Sequence, residues 1–309
     1  MGLRHSYTAT GTNDGAKQVS VNRWNEEHVV IGDLDLPVTA TPTVPPTDNL
    51  TLFAQKRAGR MLLSQIGPSG FDTTLQPHIG GNKINLLIPL GGANTAPTLI
   101  GMTVFTTVGT LTARPPSITN LATRMLRLGY VSAATAGSLA STREPVVKFS
   151  LGAGDGLSGF YYRLRFVQSN AAAVAGERFF AGLSNSSGAA TNVEPNTLTN
   201  SIGICKLSTS NNLHVYSAAG TATAAIDLGT NFPGATFSVD AYEFCLFAES
   251  NGSVSWEVFR LGTAFKTSGT FATAPANTTL LCHQIWKTNN ATALAVGFDI
   301  CSLYIETDH

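Results

Sequence analysis

The sequence predicts an all-β protein: an antiparallel jelly-roll β-sandwich preceded by a small β module and an extended N-terminal arm. Three observations lead there. The 309 residues carry 30 Gly and 14 Pro with only 12% charged side chains, a composition that disfavours helices and leaves the surface to Thr, Ser, Asn and Ala. From residue 145 onward, segments rich in β-branched and aromatic residues alternate with period two. Gly, Asn, Ser and Pro breaks separate them at strand-like spacing.

The elements follow in chain order. Residues 1–48 read as an arm: short alternations such as Gln18-Val19-Ser20-Val21-Asn22 and one Trp, Trp24, then Pro37 to Asn49, whose four prolines among Thr and Ala favour extended chain. Residues 49–115 read as a small antiparallel module built on Leu50–Gln55, Gly59–Gln65 and Lys83–Pro89. Residues 116–309 read as the sandwich. Its first stretch, Pro116–Leu128, could bury Ile118, Leu121, Met125 and Leu128 on one helical face, and also alternates acceptably as a strand. Eight strands come next: Phe160–Val167, Arg178–Leu183, Ser201–Leu207, Leu213–Ser217, Thr236–Ala248, Ser253–Arg260, Thr278–Lys287 and Ala293–Thr307. In Ser253–Arg260 one face takes Val254, Trp256, Val258 and Arg260, and the other takes Ser255, Glu257 and Phe259.

Charge excludes several functions. With 19 basic against 19 acidic residues there is no excess to neutralise phosphates, so no nucleic-acid partner is expected. No apolar run approaches the roughly 18 residues of a membrane span, and the N-terminus lacks the apolar stretch of an export signal. Cys205, Cys245, Cys282 and Cys301 have no metal-binding spacing and read as buried free thiols of a chain folded in a reducing cytosol.

Catalytic motifs are absent or out of context. Gly154-Asp155-Gly156-Leu157-Ser158-Gly159 matches a dinucleotide fingerprint, but a strand follows where that chemistry needs a helix, so the run reads as a wide loop. The carboxylate pairs Asp33/Asp35 and Glu26/Glu27 lie in the thin arm, where no cleft for glycoside hydrolysis can be argued. The six histidines are far apart in sequence; His214 reads as a sandwich-face residue. No catalytic residue, metal or cofactor is expected. The strand aromatics are the remaining signal. Trp256, Trp286 and Tyr216 are the residues named for stacking a sugar, against the plainer reading of core or interface.

Several stretches resemble a family of tailed-bacteriophage and prophage virion proteins described as tail-fibre, receptor-binding or head-fibre components. His5–Asp14 with Lys17–Asn25 is similar to their opening segment; Leu52–Arg60, Gly67-Pro68-Ser69-Gly70 and Gln76-Pro77-His78 to their second module. Arg178–Leu183, Asn231-Phe232-Pro233, Asn251-Gly252-Ser253 and Ser302–Asp308 resemble their concanavalin-like jelly-roll. The resemblance implies a virion location, an arm that docks to other virion proteins through Tyr7, Val19, Val21 and Trp24, a homo-oligomer, commonly a trimer, and a distal β-domain that meets a host polysaccharide or envelope protein. It implies no catalytic residue. Two other readings stay open: a purely structural capsid decoration, and a capsule-cutting depolymerase.

Overall fold

A computed structural model describes residues 36, 38, 42, 43, 45, 46, 49–66, 72–74, 83–153, 159–249 and 251–307. Tyr7, Val19, Val21 and Trp24 of the expected arm, and the Gly154–Ser158 part of the glycine-rich run, lie outside the described residues. The chain divides into two compact units.

The first unit comprises residues 1–56 and 61–76. Its strands β1 (Thr51–Arg57), β2 (Arg60–Ile66) and β3 (Asp72–Thr74) form a sheet in that order. Val38 makes an isolated parallel bridge to Ala54. Alternation shows in the burial: Leu62, Ser64 and Ile66 are buried while Met61 and Leu63 are exposed.

The second unit, residues 57–60 and 77–309, is an antiparallel sandwich. Its strands are β4 (Lys83–Ile88), β5 (Thr98–Ile100), β6 (Thr106–Val108), β7 (Thr110–Arg114), β8 (Arg127–Val131), β9 (Leu139–Arg143), β10 (Tyr161–Gln168), β11 (Arg178–Ser184), β12 (Ser201–Lys206), β13 (His214–Ala218), β14 (Ile226–Asp227), β15 (Ala241–Ala248), β16 (Val254–Arg260), β17 (Lys266–Thr270), β18 (Cys282–Thr288) and β19 (Gly297–Thr307). Among the described residues one sheet runs β17-β16-β15-β10-β19-β4-β5, with β8 and β7 continuing from the other half of β19. The second runs β14-β13-β12-β11-β18-β9-β6. The chain passes back and forth between the sheets, so β10 lies between β15 and β19 while β11 lies between β12 and β18. This non-sequential pairing is the jelly-roll arrangement the sequence predicts.

The core is the interface between the two inner faces. From the first sheet come Tyr162, Leu164 and Phe166 of β10, Tyr242, Phe244 and Leu246 of β15, and Val254, Trp256 and Val258 of β16. From the second come Phe179, Ala181 and Leu183 of β11, Ile202 and Ile204 of β12, and Ile285 of β18. Each large apolar side chain sealed this way stabilises by roughly 1.5–3 kcal/mol. Strand β19 sends Phe298, Ile300, Leu303 and Ile305 inward, an order that simple alternation forbids. A register shift opposite Arg165/Phe166 resolves it: the bulge turns Cys301 to the outer face and resets the alternation.

Three expectations differ from what is seen. Residues 83–115 join the sandwich instead of completing a separate module: β4 pairs with β19, β7 with β8 and β6 with β9. Leu87, Leu99 and Leu111 pack on the main core, which a three-stranded sheet could not supply. Pro116–Leu128 holds only the four-residue helix α1 (Leu121–Arg124). It starts at Asn120, whose side chain accepts the Thr123 amide at 2.9 Å while Thr123 Oγ1 accepts the Asn120 amide at 3.0 Å. It ends because Leu128 is claimed by β8, and Ile118 is left 86% exposed. Finally, Thr236–Asp240 precedes β15 as a loop, with Ser238 at φ 56.

All four cysteines are free and buried, and burial pushes their thiols up, Cys282 and Cys301 to about 12. They are inert core residues. No helix among the described residues is long and apolar enough to cross a membrane.

His283 sits fully buried in the core, stacked on Phe105 at 5.6 Å and 3.3 Å from the Tyr162 hydroxyl through Nδ1. Burial pushes its pKa down from 6.5 to about 3. Between those values the unfolded chain binds a proton that the folded chain refuses, so stability is lost as pH falls through this window. Urea unfolding of wild type and His283→Gln across it should show the steeper acid loss in wild type; equal slopes would contradict the assignment.

Candidate functional site: a rim at one end of the sandwich

The three aromatics named from sequence are not on an open surface. Trp286 and Tyr216 point to the outer face of the second sheet, where with Phe180, Cys205 and Ala218 they form a separate apolar cluster. Ala190, Leu198, Leu207 and Ala225 cover it, leaving Trp286 1% and Tyr216 0% exposed. The Tyr216 hydroxyl donates to the Leu198 carbonyl at 2.5 Å, which pins the covering segment. Trp256 lies in the main core, 6.2 Å from the ring of Phe271. Gly269 on the neighbouring strand is flush against it: a Cβ there would lie 2.8 Å from Trp256 Cζ2. None of these rings offers a face to a ligand. The signal that named them, aromatic residues on alternating strands, is equally the signature of rings sealed between layers. His214 is likewise buried, with Nδ1 3.1 Å from the Asn212 carbonyl.

Exposed apolar and polar groups do converge at one end, where β15 begins, β16 ends and α1 sits. Arg260, the last residue of β16, is held from two sides. Its Nε donates to Asp240 Oδ1 at 2.9 Å and its Nη1 to the Asn231 carbonyl at 3.3 Å. Asp240 Oδ2 accepts the Thr236 hydroxyl at 2.5 Å. Beneath them the Tyr242 hydroxyl donates to the Pro233 carbonyl at 2.5 Å. The Arg260 guanidinium lies 5.9 Å from the centroid of Phe265, inside cation–π range.

The turn that carries Phe265 is built locally. Gly262 takes φ +77, the Thr263 hydroxyl donates to the Arg260 carbonyl at 2.7 Å, and Thr263 Oγ1 accepts the Phe265 amide at 3.1 Å. Helix α1 is tied to the same rim: Asn120 Nδ2 donates to the Ser238 carbonyl at 3.0 Å, and a Cβ on Gly262 would lie 3.0 Å from Leu121 Cδ2. Around this frame Phe265 is 41%, Val239 56%, Leu121 40% and Ile118 86% exposed. The rim therefore offers an aromatic ring, an arginine whose guanidinium is fixed by two of its five N–H donors and whose side chain is 22% exposed, and an apolar border. Such a set can stack on an apolar ring face and hydrogen-bond the polar groups beside it.

Two groups of ion pairs on the outer face of the first sheet are structural. Asp299, fully buried, receives Arg127 Nη1 at 2.8 Å and Arg114 Nε at 3.1 Å on the outer face of the first sheet. Glu243 receives Arg163 at 2.7 Å and Arg165 at 2.6 Å, and its carboxyl is lowered from the ordinary value as these arginines outweigh desolvation. No group of three or more His, Cys, Asp and Glu among the described residues is placed to hold a metal ion.

No protein-family model matches the chain, and no curated protein matches it in sequence. Solved structures do. A protein of unknown function, SO2946 from Shewanella oneidensis MR-1, is 14% identical with a TM-score of 0.46, covering 75% of this chain and 90% of its own. Arcelin-5, a lectin-like defence protein from Phaseolus vulgaris, is 9% identical with a TM-score of 0.45 over 74% of this chain and 99% of its own. Peanut lectin is 10% identical with a TM-score of 0.47 over 73% and 97%.

Replacing Trp286 by Ala should lower unfolding stability by about 3–5 kcal/mol, the usual cost of deleting a buried large aromatic. Urea denaturation measures it; a surface-like change within about 0.5 kcal/mol would mean the cluster is open.

Proposed function

We propose that the protein is a non-enzymatic particle-borne adhesin that binds a cell-surface glycan through the Phe265–Arg260–Asp240 rim. The observation that carries this reading is the rim itself: an exposed aromatic ring held beside a fixed arginine–aspartate pair at one end of a rigid sandwich. Sugars present apolar C–H faces beside hydroxyls, so a ring and paired polar groups are the complementary surface. Rigid strand ends carrying short loops supply that surface with little ordering on binding.

The virion setting rests on the sequence resemblance. In it, residues 1–48 dock to the particle and the sandwich faces outward, with avidity from several copies offsetting weak single-site affinity. A homotrimer is part of the proposal. The sheet end formed by the edge strand β5 and its neighbour β4 supports self-association, because Ile88 of β4, Ile100 of β5 and Leu90 between them are 40%, 53% and 58% exposed. The same edge would suit a purely structural coat component, the second reading.

The full chain titrated against host surface polysaccharide, with released sugar assayed alongside, tests the proposal. Saturable binding without sugar release is expected. Phe265→Ala should weaken it about tenfold, the scale of one aromatic stacking contact, with thermal stability little changed. No binding by a folded oligomer would leave the structural reading, sugar release would overturn the non-enzymatic one, and a monomer in sedimentation would contradict the trimer.

A further inference from the structure

Inside the sandwich, at its end beneath residues 229–240, lies a charged cluster that the proposed function does not use. Lys206 of β12 and Lys287 of β18 both flank Phe179 on the inner face of the second sheet. Glu177, just before β11, and Asn170, just after β10, complete it. Lys287 is 0%, Glu177 1%, Lys206 3% and Asn170 5% exposed. Two buried cations thus share the one carboxylate that touches them, Glu177, with Asp299 acting on Lys287 and Glu194 on Lys206 only from further off. An uncompensated charge in such a place is strongly unfavourable.

The contacts are more specific than a salt bridge needs. Glu177 Oε2 is 3.2 Å from Lys287 Nζ, and the same oxygen accepts the Asn170 carboxamide N–H. Asn170 Oδ1 in turn accepts the backbone N–H of Gly297 at 2.8 Å. One carboxylate oxygen therefore lies between an amine and a carboxamide nitrogen, while the carbonyl of that carboxamide is already polarised by an amide donor. Phe237 closes the site, its ring centroid 5.1 Å from Lys287 Nζ. Lys206 Nζ donates to the Glu177 backbone carbonyl at 3.2 Å and is 3.8 Å from Oε1, the oxygen not facing Lys287.

We propose that Lys287 and Asn170 become joined by an intramolecular isopeptide bond, with Glu177 as the proton carrier. Glu177 takes a proton from the Lys287 ammonium, freeing the nitrogen lone pair. Nζ attacks Asn170 Cγ, and the developing oxyanion is held by the Gly297 N–H. Glu177 delivers that proton to Nδ2, the Cγ–Nδ2 bond breaks, and the departing ammonia takes the second proton from Nζ, so that ammonium carries the lysine's charge away, the neutral Nζ–Cγ amide remains and the Glu177 carboxylate is restored. No oxidant or metal takes part. Burial favours the neutral amine that attacks, holding the Lys287 pKa down to about 8 against the pull of Glu177. The product is neutral at Lys287, so Glu177 is left with Lys206 alone and one of the two buried cations is gone.

Gln168 is the competing electrophile, because its Oε1 accepts from Lys287 Nζ at 2.6 Å. Its Nε2, though buried, meets no carboxylate that could protonate it as it leaves. Proton delivery to the leaving nitrogen selects Asn170. The bond would tie the segment after β10, in one sheet, to β18 in the other and clamp the sandwich covalently at this end.

Intact-mass spectrometry of the purified full chain, followed by protease digestion and fragmentation, tests this. The expected chain is lighter than its sequence mass by one ammonia and yields a branched peptide joining Lys287 to Asn170. Glu177→Gln and Lys287→Arg should each return to full sequence mass. A wild-type chain of unaltered mass overturns the proposal whatever the variants do, and a branch at Gln168 overturns the choice of partner.

Discussion

Everything in the second unit depends on the contact between two inner sheet faces. Phe166 stacks on Phe179 across the interface at 5.2 Å, and Phe298 meets Phe179 at 6.1 Å, so three strands from two sheets share one aromatic centre. The strands that supply it come from distant parts of the chain, and none can bury its face without the others. This is why β4 to β8 are drawn in: the long strand β19 offers two successive partners' worth of edge, β4 along one half and β8 along the other. Once both faces are closed, the molecule's distinctive chemistry is left to the outer faces and the ends.

Those outer faces are treated differently. The second sheet covers its outer aromatics with the segments around Ala190–Leu198 and Ala225, giving a third apolar layer. The first sheet instead carries ion pairs, with Glu243 between two arginines and Asp299 between two more. Removing Asp299, 0% exposed, would leave Arg127, 6% exposed, without its carboxylate, a loss of about 3–5 kcal/mol. At one end the loops turn outward as the Phe265 rim. Directly inside lies the Lys287–Glu177–Asn170 cluster, and Ser238 bonds back to the Gln168 carbonyl between the two. The exposed rim and the buried charged cluster are therefore built on the same loops.

Much of this was legible in the sequence where burial is one-sided or complete. Alternation in Ser253–Arg260 puts Val254, Trp256 and Val258 on one face, and that is the face that meets the core. Short polar strands were not legible: Thr110–Arg114, Leu139–Arg143 and Lys266–Thr270 are Thr, Ser, Arg and Lys rich, and sheet pairing rather than propensity makes them strands. The helix was over-read because Ile118 and Leu128 fit its period, while pairing with β19 held Leu128 more strongly. The candidate site was the least visible. Arg260, Asp240 and Phe265 meet only through the β15–β16 pairing and a turn, and Lys206, Lys287 and Glu177 carry charges that ordinarily signal surface. The aromatics that sequence offered were recruited by the layers.

Strands from residue 83 to residue 307 belong to one sandwich that should open cooperatively. Native-state hydrogen exchange of the full chain tests it most directly. Amides of Lys83–Ile88 and Arg127–Val131 should open together with those of Gly297–Thr307 and Tyr161–Gln168, at a single free energy. Opening of residues 83–115 as a separate, weaker unit would contradict it.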